Sequence, residues 1–244
     1  MRKAVLGLIV SMAALPVAQA GITPEEIDQA AAAAQPQVVE WRRWFHQNPE
    51  LSNREFNTGV RIAEILREMG LEPQTGIAHT GVIAIIEGGL PGPLVAIRTD
   101  MDALPVVEQT GLPFASTART QYNGQDVGVM HACGHDAHMA MVLGAAKVLN
   151  DMKAELRGSV MLIFQPAEES PPPGEDGGAS MMLDEGIFAD RMPAAVFGIH
   201  VGISIPGGQF AVKPGPMMAA SDRYQITVKG KQTHGARPWD GIDP

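Results

Sequence analysis

The sequence predicts an α/β fold, on three observations. Short apolar runs with strand character alternate with longer runs of helical periodicity. Residues able to do chemistry follow the ends of three of those apolar runs. A stretch of eleven residues, HACGHDAHMAM at 131–141, gathers three of the seven histidines, an aspartate and the only cysteine of a 244-residue chain.

Residues 1–20, MRKAVLGLIVSMAALPVAQA, have the order of a secretory signal peptide: Arg2 and Lys3, then an apolar stretch, then Ala18-Gln19-Ala20 as a cleavage site. The expected product is exported, to a periplasm or beyond, and no other run reaches the length of a membrane span. Thr23-Pro24-Glu25-Glu26 reads as a helix start, with Thr23 as cap, Pro24 in the first turn and Glu26 closing a capping box. That helix is expected to kink at Pro36 and to continue through Trp41, Trp44 and Phe45. A second helix is expected over Arg54 to Met69, burying Phe56, Val60, Ala63 and Leu66 and stopping at Gly70. Strands follow at Val82–Ile86 and Leu94–Ile97, a helix at Ala137–Leu149, and a strand at Val160–Phe164. A short helix at Ala179–Leu183 and a strand at Ala194–Ile199 complete the alternation. Pro171-Pro172-Pro173-Gly174 is a loop. Asp222–Lys229 alternates Tyr224, Ile226 and Val228 and reads as a half-exposed strand, either added to the main sheet or opening a second domain near Ala219.

Without its first twenty residues the chain carries 16 basic and 27 acidic residues, and it has no basic block. Such a surface suits neither nucleic acid nor anionic membranes as a partner. A lone cysteine in an exported protein forms no internal disulfide and is exposed to oxidation unless it is buried or held by a ligand.

Asp100 and Asp102 follow one predicted strand, Glu168 and Glu169 a second, and His200 closes a third. If those strands are parallel, their carboxyl ends place these groups in one cleft with Cys133. Cys133 and His135 are two residues apart, so an extended backbone points both side chains the same way. Thiolate, imidazole and carboxylate together suit zinc or a similar ion, with His131, Asp136 and His138 as partners fixing the ring tautomers. In FQPAEES, one glutamate can ligate a metal while its neighbour takes a proton from water. Two readings compete with this one: a buried helix start with satisfied histidines, and a Cys133–His135 nucleophile pair.

RTDMDALP, HACGHDAHMAM, FQPAEE, FGIHV and KQTHGARP resemble, in order and spacing, the motifs of the amidohydrolase branch of the aminoacylase and glutamate-carboxypeptidase metallopeptidase family. Hippurate hydrolases, aminobenzoyl-glutamate hydrolase and auxin-conjugate amidohydrolases belong to that branch. The resemblance runs from about Trp41 to Pro244. It implies a catalytic α/β domain of the dinuclear-metal peptidase type, residues 21–218, and from 219 to 244 the start of an inserted α+β lid that forms homodimers. It implies two divalent ions, zinc first, with manganese, cobalt or nickel as alternatives, held by Cys133, His135, Glu169 and His200. Glu168 would be the general base for a metal-activated water and Asp102 the aspartate orienting the site, with Asp100 as the other candidate. His234 matches a lid histidine that polarises the scissile carbonyl. The implied substrate is a small N-acyl or N-aroyl amino acid or peptide-like conjugate.

Two departures from the pattern stand out. SPPPGEDGGA adds residues after the paired glutamates, and the family's chains are longer, with a further histidine ligand beyond the end of this one. The alternative expectation is therefore an inactive or poorly folded fragment of such an enzyme.

Overall fold

A computed structural model describes residues 21–219, 224 and 226–243. Its first helix, α1, spans Pro24–Gln47, and the capping box is formed: Thr23 Oγ1 accepts from the Glu26 amide at 3.2 Å while Glu26 accepts from the Thr23 amide at 2.8 Å. The expected kink at Pro36 does not divide the helix, which continues through that residue. Proline deprives the Ala32 carbonyl of its donor, but Ala32 and Pro36 both face solvent, where water serves that carbonyl.

Helix α2, Phe56–Glu68, buries Ala63 and Leu66 as expected but not the other half of the expected stripe. Ile62, Ala63, Ile65 and Leu66 are buried, whereas Phe56 and Val60 are 59% and 58% exposed. Three long aliphatic residues at 62, 65 and 66 outweigh the stripe through 56 and 60. Gly70 ends the helix at φ 77°, with the paired bonds Leu71 N–H to Leu66 carbonyl and Gly70 N–H to Arg67 carbonyl of a Schellman stop.

Five strands form one sheet in the order β1-β2-β6-β3-β7. Here β1 is Gln74–Ile77, β2 Gly81–Glu87, β3 Leu90–Asp100, β6 Arg157–Gln165 and β7 Val196–Gly198. β3 runs parallel to both β6 and β7, as convergence of their carboxyl ends requires, whereas β2 is antiparallel to β6. β6 is buried on both faces. Val160, Leu162 and Phe164 meet α1, α2 and the helix α3 (His135–Asp151), while Met161 and Ile163 meet Met182 of α4 (Gly178–Asp184). The result is three layers, helices covering both faces of a mixed sheet.

A hairpin, β4 (Arg119–Tyr122) and β5 (Gln125–Gly128), stands apart from that sheet. Its turn is Asn123-Gly124, both left-handed (φ 51° and 74°), the dipeptide that a two-residue hairpin favours. A second compact unit begins at Gly202. In it Tyr224 and Ile226–Lys229 are outside any strand, contrary to the alternation read there; Asp222, Arg223 and Gln225 lie outside the described residues, as do residues 1–20. No helix among the described residues is long and apolar enough to cross a membrane.

Candidate metal centre

Because β3, β6 and β7 are parallel, Asp100, the Glu168–Glu169 pair and His200 emerge at the same end of the sheet. The loop before α3 brings Cys133 and His135 to them. Its backbone is not extended, as their joint orientation was expected to require. Gly134 is left-handed at φ 91°, and His135 is already the first helical residue. The two donors meet nonetheless. Atoms of Cys133, His135 and His200 lie within 4.8 Å of one another, as do those of His135, Glu168 and Glu169.

Backbone carbonyls fix the two ligand-type histidines. His135 Nδ1–H donates to the Asp102 carbonyl at 2.8 Å, and His200 Nδ1–H donates to the Val201 carbonyl at 2.7 Å. Each ring thus turns its Nε2 lone pair to the cluster: His200 Nε2 is 3.6 Å from Cys133 Sγ, and His135 Nε2 is 3.7 Å from oxygens of Asp100, Glu168 and Glu169. His138 is oriented the other way. Its Nδ1–H donates to Asp100 at 2.7 Å, and its Nε2 accepts the Val201 amide at 2.9 Å, so no lone pair is left for a metal. Asp136, expected to orient a ligand histidine, instead bonds Arg42 and His46, and His131 is buried with neither ring nitrogen hydrogen-bonded.

Asp102 is wholly buried. Its Oδ2 accepts the Ser52 hydroxyl at 2.7 Å and the Glu169 amide at 3.0 Å, and its backbone carbonyl holds His135. Asp100 is bound by Arg98 at 2.9 Å and by His138. Burial works to raise both carboxyls, yet each is held below the usual range, Asp100 by His138, His135 and Arg98, and Asp102 by His135 and Ser52.

The charge balance of the cluster fits a cation. Burial, together with Glu169, Glu168 and Asp100, pushes the Cys133 thiol up to about 12. His135 loses basicity to burial, but Asp102, Asp100 and Glu169 outweigh this and raise it to about 9. Burial and the neighbouring carboxylates also raise Glu168. These acids call for positive charge, and a divalent ion answers that demand by displacing the protons of sulfur and imidazole. Two buried polar atoms of ligand-type residues, His135 Nε2 and Glu169 Oε1, have no hydrogen-bond partner, as lone pairs reserved for an ion would not.

Beneath these loops runs a segment to which the sequence pointed no role, PELSNRE at 49–55. Ser52 binds Asp102, Asn53 binds the Asp176 carbonyl at 2.9 Å, and Glu50 caps the start of α2 through the Thr58 amide at 2.8 Å. Glu55 is fully buried against Thr80 and Ala167. In sequence, polar residues between two helices look solvated; only the fold shows that they are enclosed. A cleft of about 420 Å³ opens between this segment and the β4–β5 hairpin, with Ser52 in its wall. His234 belongs to the second unit, exposed, its Nδ1 accepting the Ala236 amide at 3.1 Å.

Comparison with known proteins agrees with this arrangement. Residues 96–240 match the model of peptidase family M20/M25/M40. The chain is 46% identical over 208 residues to thermostable carboxypeptidase 1 of Saccharolobus solfataricus, covering 85% of this chain and 50% of that one. It is 44% identical over 211 residues to N-acetylcysteine deacetylase of Bacillus subtilis, covering 85% and 51%. Among solved structures, a dinuclear metal binding peptidase from the M20 family of Bacillus subtilis superposes with a TM-score of 0.62 at 42% identity, over 72% of this chain and 45% of that one. The chain thus spans about half the length of the curated relatives it matches. The family match covers more than half of the chain and takes in every residue of the cluster, and the chain belongs to the peptidase family M20/M25/M40.

Proposed function

We propose that this chain carries the metal centre of an amidohydrolase that cleaves the amide bond of N-acyl or N-aroyl amino acids or related small conjugates. One observation supports this above the rest: His135 Nε2, buried and without a hydrogen-bond partner, faces two adjacent glutamates 3.7 Å away. Cys133, His135, Glu169 and His200 are the proposed ligands for two divalent ions, with zinc favoured by the thiolate and imidazoles. When bound, such ions supply Lewis acidity and make water acidic enough to attack at neutral pH. Glu168, the more exposed of the pair and raised above the usual range, takes the proton of the attacking water and returns it to the leaving nitrogen. Asp102 holds His135 in its tautomer through the backbone carbonyl and the Glu168–Glu169 turn through the Glu169 amide. Asp100, already shared between Arg98 and His138, keeps a supporting place. A role for His234 in polarising the scissile carbonyl rests on the sequence resemblance, as do homodimer formation and the assignment of 219–244 to a lid. Export rests on residues 1–20.

The relatives' names support amide and peptide substrates as a class. Against a Cys133–His135 nucleophile pair stands the geometry: Cys133 Sγ has His200 Nε2 at 3.6 Å, while His135 donates to the Asp102 carbonyl and turns Nε2 to the carboxylates. Burial with those carboxylates also raises the thiol, where an activated one is lowered. Hydrolysis of N-acetyl and N-benzoyl amino acids tests the proposal, with metal content measured on the same samples. Glu168→Gln is expected to lower kcat by about 10²–10⁴-fold with metal content unchanged. Activity that withstands exhaustive chelation, or a Glu168→Gln variant as active as the wild type, removes the mechanism.

A further inference from the structure

We propose that Glu55 is a positioning residue of the metal centre, aiming Glu168 and Glu169 through the backbone of Ala167. The inference rests on the reading that those two glutamates serve the metal centre. Glu55 is wholly buried and uses both carboxylate oxygens: Oε1 accepts the Ala167 amide at 2.8 Å, and Oε2 accepts the Thr80 hydroxyl at 2.7 Å. Ala167 is itself buried and stands at φ 50°, a left-handed conformation that is strained for a residue with a Cβ and persists only when its surroundings enforce it. The enforcing contact at its amide is the Glu55 carboxylate.

The consequence lies in the next two residues. The turn at Ala167 decides in which direction the chain leaves β6, and so where the Glu168 and Glu169 carboxylates go, each of which reaches 3.7 Å from His135 Nε2. The loop is pinned at two amides, Ala167 by Glu55 and Glu169 by Asp102. The Asp102 pin comes from the metal centre itself, whereas the Glu55 pin comes from the opening of α2, a separate element. A buried carboxylate is an expensive way to fill space, since apolar residues of similar volume pack at no desolvation penalty. Its retention here fits a task of orientation: an acceptor of fixed length, anchored at its far side by Thr80.

Two conservative variants separate reach from charge. Glu55→Gln keeps an acceptor at the same distance and loses the charge; Glu55→Asp keeps the charge and is one methylene too short for Ala167. In the 244-residue chain, Zn²⁺ affinity by chelator competition is expected to fall at least tenfold in Glu55→Asp and less than threefold in Glu55→Gln. Hydrogen exchange read by mass spectrometry on the peptide spanning 165–170 is expected to rise in Glu55→Asp alone, with circular dichroism unchanged in both. The exchange result needs no metal, so it decides on the anchor even if the wild type binds no Zn²⁺, an outcome that sinks the metal reading instead. Wild-type exchange and affinity in Glu55→Asp overturn the proposal. So does equal loss in both variants, because it assigns the effect to charge and not to reach.

Discussion

Gly134 shows how tightly single residues are set at this centre. It takes φ 91°, and a Cβ there would lie 2.2 Å from Val201 Cγ2 and 3.6 Å from His138 Nε2. Gly134→Ala therefore pushes on the strand end that carries His200 while straining the turn between Cys133 and His135. Its expected effects are a loss of about 1–3 kcal/mol in urea unfolding and at least a tenfold weaker Zn²⁺ affinity, measured on the same preparation. At this scale the sequence was legible where chemistry and spacing coincide. Cys133, His135, Glu168, Glu169 and His200 fall on motif positions and come together in the fold. Ser52 and Glu55 escaped because their importance is burial, and burial of a polar side chain leaves no periodicity. The tautomer-fixing groups were misplaced for a related reason: carbonyls of residues 102 and 201 do that work, and a backbone carbonyl has no signature in sequence.

Among elements, β6 joins the two larger core clusters, giving Val160, Leu162 and Phe164 to one and Met161 and Ile163 to the other. Phe164 is fully buried where that strand meets the helical layer, and Leu143 of α3 is fully buried in the same cluster. Phe164→Ala is expected to destabilise by about 3–5 kcal/mol through lost burial and a residual cavity, read from the shift of the denaturation midpoint at constant slope. Phe164 also stands three residues from Ala167, so the substitution should weaken Zn²⁺ binding as well. The main helices were legible from their long periodic patterns, and the strands β2, β3 and β6 from unbroken apolar runs of four or five residues. The inward face of α2 was legible only in part: Ala63 and Leu66 of the expected stripe are buried, while packing turns Phe56 and Val60 outward in favour of Ile62 and Ile65. The β4–β5 hairpin carried a plain signal in Asn123-Gly124, but its strands are short and polar and stood out poorly from loop.

For the whole molecule, stability as a function of pH follows from buried acids of opposite tendency. Burial raises Glu55 from the ordinary 4.5 to about 7, with Thr80 and Ala167 opposing and Asp102 adding to the rise. A raised carboxyl favours the folded state fully below its unfolded pKa, and that contribution is lost as pH climbs through about 7. Its size is roughly 3 kcal/mol between pH 4.5 and 7. Asp100 and Asp102, held low, work in the opposite sense: their contribution is present above the unfolded value of 3.8 and disappears as pH falls further. Urea unfolding with chelator present is expected to give a smaller pH-dependent loss between pH 5 and 8 for Glu55→Gln than for the wild type. Equal slopes refute the assignment to Glu55.

The central strand has a further consequence before folding is complete. Residues 158–164, GSVMLIF, contain no charge and no proline, and Val160, Ile163 and Phe164 among them favour extended structure. In the fold β2 pairs with residues 159–164 along one edge and β3 with Arg157 and residues 159–165 along the other. In a nascent chain those edges are open, and such a window stacks readily on copies of itself. Arg157 at one end and Pro166 just past the other act as gatekeepers, one by repulsion between like charges, the other by lacking an amide to extend the ladder. The strand that joins the native core clusters is thus also a segment open to aggregation before it is paired, and its protection lies in the residues at its two ends.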